Sequence, residues 1–515
     1  MSDSRVKKSA QNMIMGFLYQ ALVLVLSFVS RTAFIQTLGD DYLGINATFS
    51  DVLSLLSMAD LGFGTAMAYS FYKPLAEDNK EQIAALIHFY KKIYNFIAAA
   101  VLVLGLLCIP FLKYIVNTEE YIQNLEIYYL FSLFGVVISY LFVYKTTLLT
   151  ADQKDYKVVR IRMWTSVLKT VLQIAVLYIW RNYILYLAIG VAVQFLNNYI
   201  ASKKTEKEYP YIKDKTNKGE VEQSVKNSLV GNMKSVFVYK LSGTMFSATD
   251  NIIISVVVGT AIVGRYSNYL MVSNKLLLIE QIVFSAMTAS IGNVIVKESA
   301  KKRLQVFQAM QSASFIFCGI ITSAFCLLIN DLIGVWLKSE VYVLSSLTVI
   351  AITLNTYFSC VLQPLWIYRD ATGLYMKTKY VMLMGAILNI VLSIGLGYMI
   401  GLPGVIFASA ISRVCTYFWY EPKLLFKEYF DSSAKEYYLS IVKNIALVAI
   451  TVLFLGTVFA GFQVTNWLNL SIKSIMIGML CCIIFMLAYA RTEGFNIILG
   501  KVKEILGRKG KNNEG

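Results

Sequence analysis

The stretch Lys91–Lys113, KKIYNFIAAAVLVLGLLCIPFLK, decides the fold class. Between its flanking lysines stand twenty residues without a formal charge. An α-helix rises about 1.5 Å per residue, so such a run crosses the roughly 30 Å hydrocarbon layer of a bilayer. Runs of this kind recur along all 515 residues with short polar breaks. The whole chain is 57% hydrophobic and only 15% charged, against about 45–50% and about 25% in soluble domains. The runs lack the ten-residue, period-2 alternation of a membrane β-barrel, and the composition excludes a disordered chain. The expected fold class is an all-α polytopic membrane protein.

Fourteen apolar segments are expected to span the membrane, at about 12–37, 43–72, 89–112, 122–144, 158–180, 183–201, 235–257, 263–296, 305–329, 341–367, 380–399, 402–420, 439–460 and 467–490. The first has no small-residue cleavage site and reads as a retained span, not a removed signal peptide. With the N-terminus in the cytoplasm, 37 of the 47 Lys and Arg fall on the inside, while the outside loops hold only Lys113, Arg181 and Lys338. Positive residues collect on the cytoplasmic side of membrane proteins. Both ends are therefore expected inside, in the cytoplasmic membrane. The net charge of +16 is a topology signal with attraction for anionic membrane lipids, not a nucleic-acid footprint. The outside loops, about ten residues at most around Lys113–Tyr121 and Asn330–Glu340, leave no room for a catalytic domain. The long inside stretch 202–234, rich in Lys, Glu and Asn, reads as a solvated linker.

One histidine, His88, excludes a His-based zinc cluster, and it reads as a partly solvated helix-face residue. The seven cysteines lie in apolar runs without C-x-x-C spacing and read as small buried hydrophobes. No metal and no cofactor are expected. No G-x-x-x-x-G-K-[ST] phosphate loop is present, so energy would come from a proton or sodium gradient or from substrate mass action.

Sliding the chain by 220 residues reveals an internal repeat. Gly39 falls on Gly259, Gly44 on Gly264, Val52 on Val272, Leu56 on Leu276, Ala66-Met67 on Ala286-Met287 and Ser70 on Ser290. Asp60 falls on Glu280, which repeats an intramembrane carboxylate. At a shift of 216, Leu172-Gln173-Ile174 matches Leu388-Asn389-Ile390. Six spans separate the copies, so they share one orientation and are related by a pseudo-two-fold axis along the membrane normal. The expected organisation is a six-helix lobe at 1–201, the linker 202–234, a second six-helix lobe at 235–430, and two additional helices with a basic tail at 431–515.

Arg31-Thr-Ala-Phe-Ile-Gln-Thr-Leu-Gly39, Tyr42-Leu-Gly-Ile45, Leu53-Ser-Leu-Leu-Ser57, Asp60-Leu-Gly62 and Tyr72-Lys-Pro-Leu-Ala76 resemble the polysaccharide transporter (Wzx-type flippase) family of the multidrug/oligosaccharidyl-lipid/polysaccharide exporter superfamily. The resemblance implies a fourteen-helix, two-lobe, V-shaped exporter. Its substrate would be an undecaprenyl-pyrophosphate-linked oligosaccharide, a capsule, O-antigen or similar precursor, moved from the inner to the outer leaflet. Its partners would be membrane lipids, a polysaccharide polymerase and other assembly proteins.

A charge near the bilayer centre costs at least about 2.5–3.5 kcal/mol on insertion scales, so it turns inward, pairs or works. Arg31 reads either as a cavity guanidinium for the pyrophosphate, a role the resemblance favours, or as a side chain snorkelling to the headgroups. Asp60 and Glu280 read as coupling carboxylates for an ion gradient, or as structural acids capping a bent helix near Gly62 and Gly64. Asp51 and Asp60 are nine residues apart, about 180° around an ideal helix, so they face different ways unless the helix bends. Asp250 is expected to pair with Arg31 or a nearby lysine. Lys275 would meet phosphate oxygens or partner a carboxylate. Lys240, Arg413 and Lys169 would line an inner funnel or snorkel, Arg265 joins the candidate cationic cavity, and Lys473 is expected to snorkel. Tyr417-Phe-Trp-Tyr420 reads as an interfacial belt. The alternatives to a flippase are an ion-coupled drug exporter of the same superfamily and, from another class, a membrane polysaccharide polymerase or ligase. The short outer loops oppose the enzyme.

Overall fold

The computed structural model describes residues 2–57, 63–119, 121–213, 223–285, 287–497 and 499–500. Among them the regular structure is helical throughout. The elements are α1 (Ser2–Leu56), α2 (Phe63–Ala76), α3 (Lys80–Cys108), α4 (Leu112–Ile115), α5 (Leu125–Ala151), α6 (Asp155–Trp180), α7 (Tyr183–Glu208), α8 (Gln223–Val257) and α9 (Thr260–Ser285). They continue with α10 (Thr288–Lys297), α11 (Ala300–Leu337), α12 (Ser346–Val361), α13 (Gln363–Thr372), α14 (Tyr375–Ile400), α15 (Leu402–Cys415), α16 (Tyr417–Tyr429), α17 (Lys435–Val458) and α18 (Trp467–Tyr489).

Each of the fourteen expected segments overlaps one or more helices among its described residues. Among the described residues ten helices are long and apolar enough to cross a membrane, eleven with the pair α12 and α13. Helix α1 carries the first expected segment and the beginning of the second, on either side of Gly39, which breaks it with φ +84°, ψ −171°. Polar residues dilute the apolar runs of α8 and α9: Lys240, Asp250 and Asn251 in one, Arg265, Asn268, Lys275 and Glu280 in the other. The chain thus has the all-α polytopic architecture that its hydropathy pattern predicts.

The repeat has a physical basis at its glycines. Gly259, the partner of Gly39 in the 220-residue shift, also has a positive φ, +133°, and it separates α8 from α9. Both turns need a backbone region that costs a side-chain-bearing residue about 1 kcal/mol or more. Gly44 and Gly264 pack backbone to backbone: a methyl at Gly44 would overlap the Thr260 carbonyl, and one at Gly264 would overlap the Asp40 carbonyl. The second matched stretch behaves alike in its two places. Gln173 on α6 is buried and donates to the Tyr186 carbonyl on α7 at 2.9 Å, and Asn389 on α14 is buried and donates to Ser409 Oγ on α15 at 2.8 Å.

By contact the chain divides into two compact units, residues 1–264 and 265–515. In the first, α1 packs on α6 and α8, while α5 packs on α3 and α7. In the second, α11 is the central post, touching α12, α17 and α18, and α14 packs on α15. The two helices expected as additions are therefore integral to the second unit. Asn444 of α17 accepts from Tyr357 Oη of α12 at 2.8 Å and donates to Tyr489 Oη of α18 at 2.8 Å. Lys473 does not snorkel as expected: it is buried and pairs with Asp331 of α11 at 2.7 Å. Water exclusion supplies no drive between helices inside lipid, so such bonds and close packing hold the bundle.

The stretch 202–234 departs from a solvated linker at its described ends. Helix α7 runs to Glu208 and α8 begins at Gln223. Thr205, Glu206, Tyr209 and Ile212 are buried, and Lys145 of α5 bonds Glu206 at 2.6 Å. The acids of this stretch are tied to lysines of the preceding helices, Glu206 to Lys145 and Glu208 to Lys154 and Lys157, while Lys203, Lys204 and Lys207 stay exposed. Two of the seven cysteines, Cys415 and Cys482, are exposed and not buried as expected. The expected belt is half core: Tyr417 and Phe418 are buried, and Trp419 and Tyr420 are exposed.

Candidate functional site

In the first unit, Arg31 sits half-buried on α1, about two turns before the Gly39 break. Tyr186 of α7 lies against Ser30 and Arg31. Around them is a ring cluster that the charge-centred reading missed. Tyr183 and Tyr186, three residues apart, share one face of α7. Phe34 lies 5.1 Å from Tyr186, Tyr42 lies 5.1 Å from Tyr183, and Tyr128 of α5 lies 4.8 Å from Tyr183. Asn46 accepts from Tyr183 Oη at 3.4 Å. A guanidinium beside phenolic rings combines bidentate anion recognition with amphipathic faces that stack on other rings. The i, i+3 tyrosines on α7 were the available signal.

Asp51, near the end of α1, accepts from Asn251 Nδ2 of α8 at 2.6 Å. Asn251 stands at the place of Arg31 in the 220-residue shift. Asp250 is half-buried beside it and Lys240 is half-buried eleven residues earlier on the same helix, about 16 Å along the axis. The helix pair α1 and α8 therefore brings together Asp51 with Asn251, and leaves Lys240 remote from them. Asp60, the other expected acid of this region, lies outside the described residues.

In the second unit, Glu280 of α9 is fully buried. Its Oε1 accepts from Ser314 Oγ of α11 at 3.3 Å, and among the described residues its Oε2 has no hydrogen-bond partner. Ser314 Oγ is equally 3.3 Å from the Cys360 carbonyl. That carbonyl lacks its usual helical donor for a local reason: Pro364, four residues on, has no N–H to give it, the Leu362 N–H turns toward it instead, and the chain bends by 41° between α12 and α13. A proline in the sequence thus changes the bonding of a backbone acceptor next to the buried acid. Lys275, five residues before Glu280, is half-buried and makes no hydrogen bond or ion pair to a described residue, so it does not partner that carboxylate. Arg265 is half-buried at the start of the unit. Arg413 is buried and donates through Nη1 to Ser359 Oγ at 3.2 Å and the Asn355 carbonyl at 3.5 Å. It ties α15 to α12 and does not snorkel.

Each unit has one end where the Lys- and Arg-rich turns gather, here its basic end. In the first unit that end carries an ion-pair cluster that ties the start of α1 and the α5–α6 turn to the beginning of the stretch expected as a solvated linker. Asp152, between α5 and α6, meets Lys8 at 3.2 Å, Lys154 at 2.7 Å and Tyr209 Oη at 2.7 Å. Glu208 joins through Lys154 at 3.0 Å. Burial alone would raise the Asp152 carboxyl, but bonds from Lys154, Tyr209 and Lys8 outweigh it and hold the group below the usual carboxylate range. In the second unit Arg369 and Glu421 form a buried pair at 3.3 Å. Among the described residues no group of three or more His, Cys, Asp or Glu is placed to hold a metal ion.

No family model matches the sequence, and no curated protein matches it. Solved structures do. A lipid II flippase, MurJ, in an inward closed conformation superposes with TM-score 0.63 and 15% identity, over 93% of this chain and 98% of that one. A multidrug resistance MATE transporter of the MOP superfamily, facing inward, gives TM-score 0.57 and 14% identity over 77% of this chain and 93% of that one. The Vibrio cholerae MATE transporter VcmN, in a mutant form, gives 0.53 and 14% over 83% and 99%. The chain therefore has the fold that this flippase and the MATE transporters share. The proteins in these comparisons are transporters and flippases, not enzymes.

Proposed function

We propose that the chain moves a lipid-linked oligosaccharide with a pyrophosphate head from the inner to the outer leaflet of the cytoplasmic membrane, as a Wzx-type flippase working by alternating access. The observation that carries this reading is the extent of the flippase likeness. It runs over 93% of the chain, whereas the two MATE likenesses run over 77% and 83%. Helices α17 and α18, held to α11 and α12 through Asn444 and Lys473, make one body with the rest of their unit. In this reading both termini are cytoplasmic, in line with the skew of basic residues, and the basic ends face the cytoplasm. Arg31 grips the phosphates bidentately, and the tyrosines beside it meet the first sugar. Polymerase and other assembly proteins receive the product outside.

Coupling runs through buried carboxylates in this proposal, with Asp60 and Glu280 as the repeated pair. The Ser314 hydroxyl has one hydrogen and faces two acceptors, Glu280 Oε1 and the Cys360 carbonyl. It serves them in turn unless the carboxyl carries a hydrogen, which then satisfies the whole chain of bonds. That arrangement suits a proton better than a metal cation, which needs several oxygen ligands at short range. Asp51, held by an amide, suits an ion-binding or structural place. The test is depletion of the protein in its host. A flippase leaves lipid-linked oligosaccharide stranded on the inner leaflet, whereas a drug exporter of the same fold leaves the glycan pathway intact and raises drug sensitivity.

A further inference from the structure

Helices α6 and α7 of the first unit each carry an exposed apolar stripe. On α6 it consists of Trp164, Leu168, Val171 and Tyr178, and at about 3.6 residues per turn Lys169 stands roughly 100–180° around the helix from them. The nearest edge of the stripe is Leu172, and in projection the buried Thr165 and Val176 lie between it and Lys169. On α7 the stripe is Leu185, Phe195, Leu196, Tyr199 and Ile200, and Gln194 stands roughly 100–180° from them. Lys169 and Gln194 are nevertheless exposed, as is Arg162, two turns before Lys169 on the same face of α6.

A polar side chain exposed on a packed face opens onto a space inside the bundle and not onto lipid tails, and charged residues within spans turn toward such spaces. Gly190 of α7 makes the room. A methyl there would touch Lys169 Cε and Gln173 Nε2, so the lysine stem lies over the glycine. One turn nearer the basic end Thr165 donates to Asn197 Oδ1 of α7 at 3.0 Å, and one turn the other way Gln173 bonds the Tyr186 carbonyl. Lys169 itself has no hydrogen-bond or ion-pair partner among the described residues. Arg162 lies over the Tyr19 ring of α1 at 5.7 Å. Tyr186 lies against Arg31, so Lys169 and Arg162 continue a line of cations from Arg31 toward the basic end. A recess lined by one sign of charge focuses potential and draws in the opposite sign.

We infer that Lys169 binds an acidic group on the glycan of the transported lipid, an oxyanion separate from the phosphates at Arg31. The inference rests on the flippase reading and narrows its substrate to an acidic oligosaccharide. The ammonium offers three N–H donors and the Gln194 amide two more. Arg162 supplies a second charge about 10 Å along the helix axis. A carboxylate of a uronic acid and a phosphate on a sugar satisfy these donors alike, and a neutral glycan gains nothing from the charge.

The test is reconstituted flipping of three lipids that share one polyprenyl pyrophosphate and differ in the glycan: neutral, bearing a uronic acid, or bearing a sugar phosphate. Lys169→Gln should slow the acidic lipids about tenfold, in keeping with one charge-assisted hydrogen bond, and leave the neutral one unchanged. Lys169→Arg should keep most of the acidic rate. A loss confined to the uronic acid lipid assigns a carboxylate, and a loss confined to the sugar phosphate assigns a phosphate. Equal loss on all three lipids, or no loss on any, overturns the inference and leaves the flippase reading in place, whereas a wild type that moves none of them overturns both. Orientation is checked separately on the full chain. The membrane-impermeant thiol reagent sulfonatoethyl methanethiosulfonate should modify Lys169→Cys about tenfold faster than Leu168→Cys, counted above the wild-type cysteines. Equal rates would set Lys169 against lipid and overturn the inference too.

Discussion

The two units handle an intramembrane carboxylate in opposite ways. Asp51 in the first is half-buried and receives a short bond from the amide of Asn251. Glu280 in the second is sealed from solvent, with one oxygen 3.3 Å from a serine hydroxyl and the other without a hydrogen-bond partner among the described residues. The amide of Asn251 fixes the orientation of the Asp51 carboxyl, whereas among the described residues Glu280 is held only through the Ser314 hydroxyl. The lesson is that a repeat matched in backbone, through Gly39 with Gly259 and Gln173 with Asn389, has diverged in its polar interior. One half presents a carboxyl tied to an amide, with Arg31 beside tyrosines, and the other presents a buried carboxyl held by a serine hydroxyl.

The largest way to break this contrast is at Arg31. Arg31→Ala should lower reconstituted flipping roughly 10–100-fold, the equivalent of about 1.5–3 kcal/mol for a lost charge-assisted bond. Arg31→Lys should recover part of it, because a point charge replaces a planar fork. Wild-type surface glycan display in the Arg31→Ala strain, with the protein inserted, would remove Arg31 from the site. Next comes the first unit's own pair. Asp51→Asn and Asn251→Ala should be non-additive in thermal unfolding, with a coupling of about 0.6–1.7 kcal/mol, the range for hydrogen bonds inside membranes. Strict additivity would show that the 2.6 Å contact contributes nothing.

The membrane part of the architecture was legible because hydrocarbon thickness fixes segment length. The described parts of the expected segments are mostly helical for that reason. The broken turns at Gly39 and Gly259 were legible as a repeated residue whose conformational freedom few others share. Azimuth was not legible. Hydropathy treats a lysine alike whether it pairs, as Lys473 does with Asp331, or snorkels, as expected. Nor does a sequence announce that the Cys360 carbonyl, which Pro364 deprives of its helical donor, meets Ser314, since that contact joins α11 to α12 forty-six residues away. The Lys- and Glu-rich stretch after 201 looked solvated because composition reports charge and not partners.

Smaller in effect is Glu280→Gln. An amide keeps the shape and one acceptor of the acid, so the variant should lose less than about 1 kcal/mol of stability. Its flipping rate should nevertheless no longer respond to an imposed pH gradient, while Asp51→Asn keeps the wild-type response. The measurement is the initial flipping rate in proteoliposomes with a pH gradient imposed in either direction. An unaltered response in Glu280→Gln would falsify coupling through this residue and leave the two carboxylates functionally alike.

The smallest expected effect lies outside the membrane, at Asp152. Three donors surround this carboxyl, from α1, from its own turn and from Tyr209. Its proton affinity is lowered on folding, so the cluster stabilises the folded chain fully above the ordinary aspartate range near pH 4 and loses that contribution as the pH falls below it. Asp152→Asn should therefore cost no more than about 1 kcal/mol at neutral pH, as partly exposed ion pairs do. The difference from wild type should shrink toward zero by about pH 3, below the ordinary aspartate value. Thermal melts of both proteins from that acid limit up to neutrality decide it. A gap that widens on acidification would mean that Asp152 is held by burial, like Glu280, and that the contrast between a bonded and an isolated acid does not describe this end of the molecule.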